Sequence, residues 1–361
     1  MQLFQCSCCQ QPVYFDNCIC MHCQHILGFD AKKQQMLALT GPNTVWAFTE
    51  TQTQKNYKFC MNKQYEVCNW VLSFDDPQDF CLACGLNRII PDLSDLKYRQ
   101  RWHKIELAKH RLVYSLLRWQ LPLENKVQNP TQGLAFDFKA DLNCPNEAKV
   151  MTGHDNGLIT LNIAEADDVE RTMARDQMNE VYRSLLGHFR HEIGHYYWDV
   201  LVDGTAFLQP CRALFGDERI DYQTALDRHY QNGPAPDWMS RYISPYASMH
   251  PWEDWAETWA HYLHIVDVLE TADAFGIQIR PPVVQDQHKH MMTLATPLKP
   301  YTTEDFDDIY QAWLPVAFAM NSLNRSMGQD DFYPFVINSQ VQNKLRFIHE
   351  VIQHYAQAQS Q

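Results

Sequence analysis

The sequence predicts an α+β protein in two parts, a cysteine-rich N-terminal region and a mainly helical domain that includes a short β segment. Three observations predict it. Ten of the twelve cysteines lie between Cys6 and Cys84. From about Leu96 onward, apolar residues recur at steps of three and four, the spacing of one helix face. Between these regimes, residues 134–163 lean to strand and contain an Asn156-Gly157 pair, a hairpin signal. The division falls near Asp95, giving residues 1–95 and 96–361.

The elements follow in order. Residues 97–119 set Ile105, Leu107, Leu112, Val113, Leu116 and Leu117 among lysines and arginines, an amphipathic helix that Pro122 and Asn129-Pro130 end. Leu134–Phe138 is a candidate strand. Lys149-Val150-Met151 and Leu158–Ile163 are two more, joined by Gly153–Gly157, with Ile159, Leu161 and Ile163 on one face. Residues 180–202 are helical, placing Tyr182, Leu185, Phe189, Ile193, Tyr196 and Val200 on one stripe, with Gly204 as the stop. A helix over Pro251–Thr271 carries Trp252, Trp255, Trp259 and Tyr262 as a buried stripe. Helices near 303–321 and 339–357 close the chain, and the glutamine-rich tail after Ala356 frays.

Composition narrows the function. There are 43 Asp plus Glu against 30 Lys plus Arg, a net charge of −13. That balance works against non-specific nucleic-acid or anionic-membrane binding. No apolar run approaches the ~20 residues of a membrane-spanning helix. The start, Met1-Gln2-Leu3-Phe4-Gln5-Cys6, lacks the basic and apolar regions of a secretory signal. The expected location is the cytoplasm, where thiols stay reduced, so clustered cysteines point to metal rather than disulfides.

Cys6-x2-Cys9 and Cys20-x2-Cys23 are paired knuckles that can aim four thiolates at one tetrahedral zinc. Cys8, Cys18, His22 and His25 crowd the same stretch and leave the ligand choice open. Cys60, Cys68, Cys81 and Cys84 form a second set around the Cys81-x2-Cys84 knuckle. Two closed structural zinc sites of zinc-ribbon or rubredoxin-like type are expected. A 95-residue segment with so little apolar periodicity is expected to need them to fold. Residues 1–95 hold six basic against nine acidic side chains, and each four-thiolate zinc adds further negative charge. Such a surface repels phosphate, so the region is expected to face a protein partner or to be architectural.

His191-Glu192-Ile193-Gly194-His195 lies in the 180–202 helix. Residues i and i+4 share a face, so both imidazoles can reach one metal. Zinc lowers the pKa of a bound water to ~7, and Glu192 stands where it can take that proton. A third ligand is needed. Glu253 and Glu257, four apart on the later helix, are the best source: one carboxylate binds metal and the other steadies a ligating histidine, while the tryptophans turn away. His250 and His261 are rival ligands. Asp199, four after His195, either orients an imidazole or pairs at the surface. Tyr246, in a Ser-Pro-Tyr turn, can donate to an oxyanion. Gly194 in mid-helix suggests close packing against a neighbouring strand.

The run Leu186-Gly187-His188-Phe189-Arg190-His191-Glu192-Ile193-Gly194-His195-Tyr196-Tyr197-Trp198-Asp199 resembles a family of bacterial zinc-binding metallopeptidases with an N-terminal zinc-ribbon region. So do Phe215-Gly216-Asp217-Glu218-Arg219, Tyr246-Ala247-Ser248, His250–Thr258, Cys81-Leu82-Ala83-Cys84 and Ile90-Pro91-Asp92-Leu93. The second half is also similar to the more distant anthrax-lethal-factor-like gluzincins, through the spacing of Tyr246, Glu253 and Glu257.

These resemblances imply Glu253 as third ligand, Tyr246 as transition-state stabiliser and Glu257 as an outer residue or alternative ligand. They imply a zincin-like fold, a small twisted sheet whose edge strand, here Leu158–Ile163, holds an extended peptide. The cofactors implied are one catalytic and two structural zinc ions. The stretch from His195 to Glu253 is longer than in those proteins, and Gly216–Pro236 is expected to form a lid or a self-blocking segment. Arg190 and Arg219 are nearby charges without an assigned role. The leading expectation is an endopeptidase acting on polypeptides. The alternatives are a non-enzymatic zinc-ribbon adaptor with a silent peptidase-like half, and zinc-assisted hydrolysis of a non-peptide bond.

Overall fold

A computed structural model describes residues 1–41, 45–50, 53–141, 150–171, 184–282 and 289–359. Contacts divide the chain into two compact units: Met1–Leu117 with Leu123–Asp168, and Arg118–Pro122 with Val169–Gln361. The chain is α+β, with a cysteine-rich N-terminal region and a mainly helical C-terminal part.

The first unit begins with a two-stranded ladder of β1 (Phe4–Gln5) and β2 (Pro12–Val13). It continues into β3 (Ile26–Asp30), β4 (Gln35–Leu39), β5 (Trp46–Glu50), β6 (Thr53–Phe59) and β7 (Trp70–Ser73), a sheet of order β4-β3-β7-β6-β5. Only β3 and β7 pair in parallel. The sheet gives the cysteine-rich region a core of its own, contrary to expectation. Leu37, Leu39, Tyr57 and Val71 cluster in it. Phe15, Phe29, Trp70 and Tyr114 meet ring to ring, with Phe15 and Phe29 centroids 4.9 Å apart. Tyr114 comes from α1 (Leu96–Arg118), whose residues 96–117 belong to this unit. Aromatic packing therefore supplies what short strands of low periodicity did not advertise.

A second sheet, of order β10-β11-β9-β8, is built from β8 (Asn87–Ile89), β9 (Ala135–Lys139), β10 (Gly153–Asp155) and β11 (Leu158–Asn162). The hairpin turn is Asn156-Gly157, both with positive φ, which matches strand twist. Its first strand is Gly153–Asp155, the stretch expected as the connection. Val150 and Met151 are not in a strand, and Lys149 lies outside the described residues. Ile159, Leu161 and Ile163 are fully buried on one face, as the alternation predicted. β11 is not an edge: β9 pairs with one side and β10 with the other. The expectation that Leu158–Ile163 offers free backbone to a peptide is therefore overturned.

The second unit is helical. Its main elements are α2 (Leu185–Leu201), α3 (Leu208–Phe215), α4 (Tyr222–Asn232), α5 (Pro251–Ala274), α6 (Phe306–Ser326) and α7 (Ser339–Gln359). Ser184 caps α2, its Oγ accepting the Gly187 N–H at 3.0 Å. The earlier part of the expected 180–202 helix, with Tyr182, lies outside the described residues. α5 is the central helix. Pro251 sits at its first position, Glu253 and Asp254 favour its positive end, and Trp255, Trp259 and Tyr262 are fully buried.

α2 packs on α5 at Gly194. A Cβ there would lie 3.1 Å from Ala256 Cα and 3.2 Å from Trp259 Cβ. The Trp255 indole N–H donates to Gly194 O at 2.9 Å. The close neighbour that requires the glycine is thus a helix, not the strand expected.

Candidate metal centres

At the first cysteine set, Cys6 and Cys23 sulfurs are 3.6 Å apart, as are those of Cys9 and Cys20. Four sulfurs bonded to one zinc at ~2.3 Å would stand about 3.8 Å from each other, so these spacings fit. The amides of Cys23 and His22 point at the Cys20 sulfur and, against burial, bring its thiol down to about 6. Thiolate is the form a metal needs. The four knuckle cysteines form one group that could hold a metal. Cys8 and Cys18 are exposed, and Cys18 turns to the Asp16 carbonyl. Cys8 groups with Cys23 and His25, a trio that would have to share Cys23.

The second set, Cys60, Cys68, Cys81 and Cys84, is wholly buried and converges. Backbone N–H groups of Trp70, Cys81 and Cys84 reach the sulfurs of Cys68, Cys60 and Cys81 at 3.3–3.5 Å. Its surroundings were not anticipated. From α1, His110 Nε2 lies 3.6 Å from Cys84 Sγ, and its Nδ1 bonds the Glu106 carbonyl at 2.6 Å. Lys109 and Asn87 both donate to Glu106 Oε1. These residues read in sequence as the polar face of an amphipathic helix, yet all three α1 side chains are buried. Only the fold shows that this face meets thiolates.

The third centre joins α2 and α5. His191, His195 and Glu253 each offer a donor atom, all within 4.8 Å of one another. His191 Nε2 is 3.0 Å from Glu253 Oε2, and His195 Nε2 is 3.5 Å from Glu253 Oε1. The other nitrogen of His191, Nδ1, is 2.7 Å from Glu257 Oε1. A carboxylate only accepts, so Nδ1 carries a proton, and with a metal bound Nε2 would turn its lone pair to it. Glu253 Oε2 is buried and makes no hydrogen bond among the described residues. A buried carboxylate oxygen this close to an imidazole nitrogen needs a cation between them, a proton or a metal ion. Burial opposes charge on His191, but Glu253 and Glu257 outweigh it and hold its pKa well above the usual imidazole value. A divalent ion satisfies the same donors, so the residue set fits zinc.

Glu257 stands one step out from that pocket. Its Oε2 accepts the Ser244 hydroxyl at 2.6 Å, and Ser244 Oγ accepts the Ala247 N–H. Both Glu257 oxygens are therefore occupied, and the histidine outweighs burial to bring its carboxyl down to about 2. The rival ligands do not join this group and have partners elsewhere. His250 caps α5, with Nδ1 accepting the Trp252 N–H and Nε2 donating to Ile220 O. His261 Nδ1 bonds the Tyr333 hydroxyl at 2.8 Å.

Glu192 is buried, and its charge helps burial push the Tyr246 phenol up. The Tyr246 ring centre is 6.1 Å from that of His191. Burial raises Asp199 to about 6 against the pull of His195. Arg190 is structural, buried against Asp267 and His264, whereas Arg219 pairs with Asp217 in the open.

At this centre the sequence reading missed Ser244 and Tyr222 and misplaced Trp252. Tyr222, inside the Gly216–Pro236 stretch, donates its hydroxyl to Glu253 Oε1 at 2.8 Å. Trp252 does not turn away with its neighbours; its ring centre is 4.2 Å from that of His195. Tyr222 had no periodic signal, because it opens a separate helix thirty residues from the ligand it touches. Trp252 precedes Glu253 directly and so was within reach of a helical-wheel argument.

A unit with two cysteine sets, and a helical unit with two imidazoles and a carboxylate on facing helices, define a zinc protein of the metallopeptidase class. Residues 98–351 match the family described as "Putative zinc-binding metallo-peptidase", and the chain belongs to it; residues 3–95 match a zinc-ribbon domain. Proteins of Mycobacterium bovis and Mycobacterium tuberculosis, each carried under the words "uncharacterized protein", are 39% identical over 357 residues, or 99% of this chain and 96% of theirs. No solved structure matches the chain.

Proposed function

We propose that this protein is a gluzincin-type endopeptidase, with His191, His195 and Glu253 holding a catalytic zinc and Glu192 as general base. The observation that carries the reading is the convergence of those three donors in a buried pocket, with Glu253 Oε2 left without a hydrogen bond. A zinc ion bound there supplies a Lewis acid that polarises a carbonyl and makes water nucleophilic at neutral pH. Glu192 accepts the proton of the attacking water and passes it to the leaving amine. Tyr246 donates its phenolic hydrogen to the developing oxyanion; burial keeps that phenol protonated. Glu257 fixes the tautomer of His191. The substrate class is polypeptide, and the acidic ribbon region serves a protein partner.

Glu192→Gln is the decisive variant. Its zinc content should equal that of wild type while cleavage of a quenched-fluorescent peptide library falls by about 10²–10⁴-fold. Equal turnover in that variant would exclude the mechanism.

A further inference from the structure

Tyr222 reaches the proposed catalytic centre from outside α2 and α5. It is the first residue of α4, and the preceding Asp221 caps that helix by accepting the Thr224 N–H at 2.7 Å. The cap fixes where α4 begins and so where the Tyr222 ring must go. Just before it, Ile220 O accepts from His250, the cap of α5. The Tyr222 ring lies 5.2 Å from that of His250 and 6.5 Å, edge-on, from that of Trp252. The starts of the two helices are thus tied together, and the hydroxyl is delivered to Glu253 Oε1 at 2.8 Å.

A carboxylate can meet a metal through either oxygen or both, and an unrestrained one exchanges between them. Here Oε1 is engaged by a phenol, and Oε2 is the oxygen 3.0 Å from His191 Nε2. Oε1 also borders the pocket, 3.5 Å from His195 Nε2, and the phenol holds an oxygen that would otherwise be free to reach the metal. Glu253 is fully buried, so no solvent competes for either.

We infer that Tyr222 is a positioning residue of the metal centre, its hydroxyl holding Glu253 by Oε1 so that Oε2, the oxygen without a hydrogen bond, is the one left to the metal. The inference deepens the ligand assignment of His191, His195 and Glu253 and rests on it. It gives the Gly216–Pro236 stretch, expected from its length to form a lid or a self-blocking segment, a constructive role as well.

The test uses the full chain loaded with zinc, with affinity measured by competition against a chelator. A companion measurement replaces zinc with cobalt(II) and reads the visible absorption, which reports coordination number and symmetry. Tyr222→Phe keeps the ring and its packing on His250 and Trp252, so the fold should survive, as a thermal melt will verify. The expected result is a 10–100-fold loss of affinity for one ion only, with a changed cobalt spectrum at that site. Tyr230→Phe, an exposed tyrosine on the same helix, should match wild type. A Tyr222→Phe protein within twofold of wild type in zinc affinity, with the same cobalt spectrum, overturns the positioning role while leaving the ligand set intact. A wild type whose zinc content is unchanged by His191→Ala overturns the ligand set and the role together.

Discussion

His191 carries the most information of any single side chain in the molecule. One nitrogen faces Glu253, and the other donates to Glu257, which is itself held by Ser244. Such outer partners fix ring orientation and tautomer and raise ligand basicity. Glu257→Ala should therefore cost about 10–100-fold in affinity for the third zinc, with both ribbon ions retained. Chelator competition followed by metal analysis will measure it, and an unchanged affinity would show Glu257 to be a bystander. The histidine pair and Glu192 were legible because i and i+4 lie on one helix face. The roles of Ser244 and Tyr222 were not, because hydrogen bonds between distant residues leave no local pattern.

Between elements, the α2–α5 contact decides whether the donors meet at all. Gly194 lets the helices approach, and a larger side chain meets Ala256 backbone rather than a flexible tip. Gly194→Val should destabilise the fold by about 1–3 kcal/mol and weaken zinc binding with it. Denaturant unfolding will show this, and a variant as stable as wild type would mean the helix pair can spread without cost.

A second inter-helix contact is pH-sensitive. Asp254 of α5 is buried against Lys344 of α7, Nζ to Oδ2 2.6 Å. Burial pushes its carboxyl up to about 7 despite the lysine. The folded state thus binds a proton that the unfolded chain releases near ~4. Between those values the native state holds more protons, so this group makes stability fall as pH rises. The swing is at most roughly 4 kcal/mol. Asp254→Asn should flatten that part of the stability profile; parallel wild-type and variant curves would contradict the assignment.

At the scale of the whole molecule, three donor sets that share no residue could each hold a metal ion: Cys6, Cys9, Cys20 and Cys23; Cys60, Cys68, Cys81 and Cys84; and His191, His195 and Glu253. Metal analysis of the intact chain should return three, and Cys81→Ser should lower the count by one and destabilise the first unit. A count below two would remove the ribbon sites. The first unit has a sheet and an aromatic cluster of its own, so chelation should loosen it without abolishing its strands, as far-ultraviolet circular dichroism can check. Among the described residues, no helix is long and apolar enough to cross a membrane.

The sequence by itself determined the two-part organisation, the cysteine knuckles, the long helices and the His191-Glu192-x-x-His195 face. Each is written in spacings shorter than about ten residues, where chain geometry alone dictates which side chains can share a metal or a face. Tertiary structure decided the rest. It grouped Glu253, not Glu257, His250 or His261, with His191 and His195. It put β11 inside its sheet and turned the polar face of α1 toward the Cys84 thiol. It brought Tyr222 to Glu253 across thirty residues of chain. These outcomes depend on which surfaces are buried together, and burial is a property of the packed molecule that no local pattern encodes.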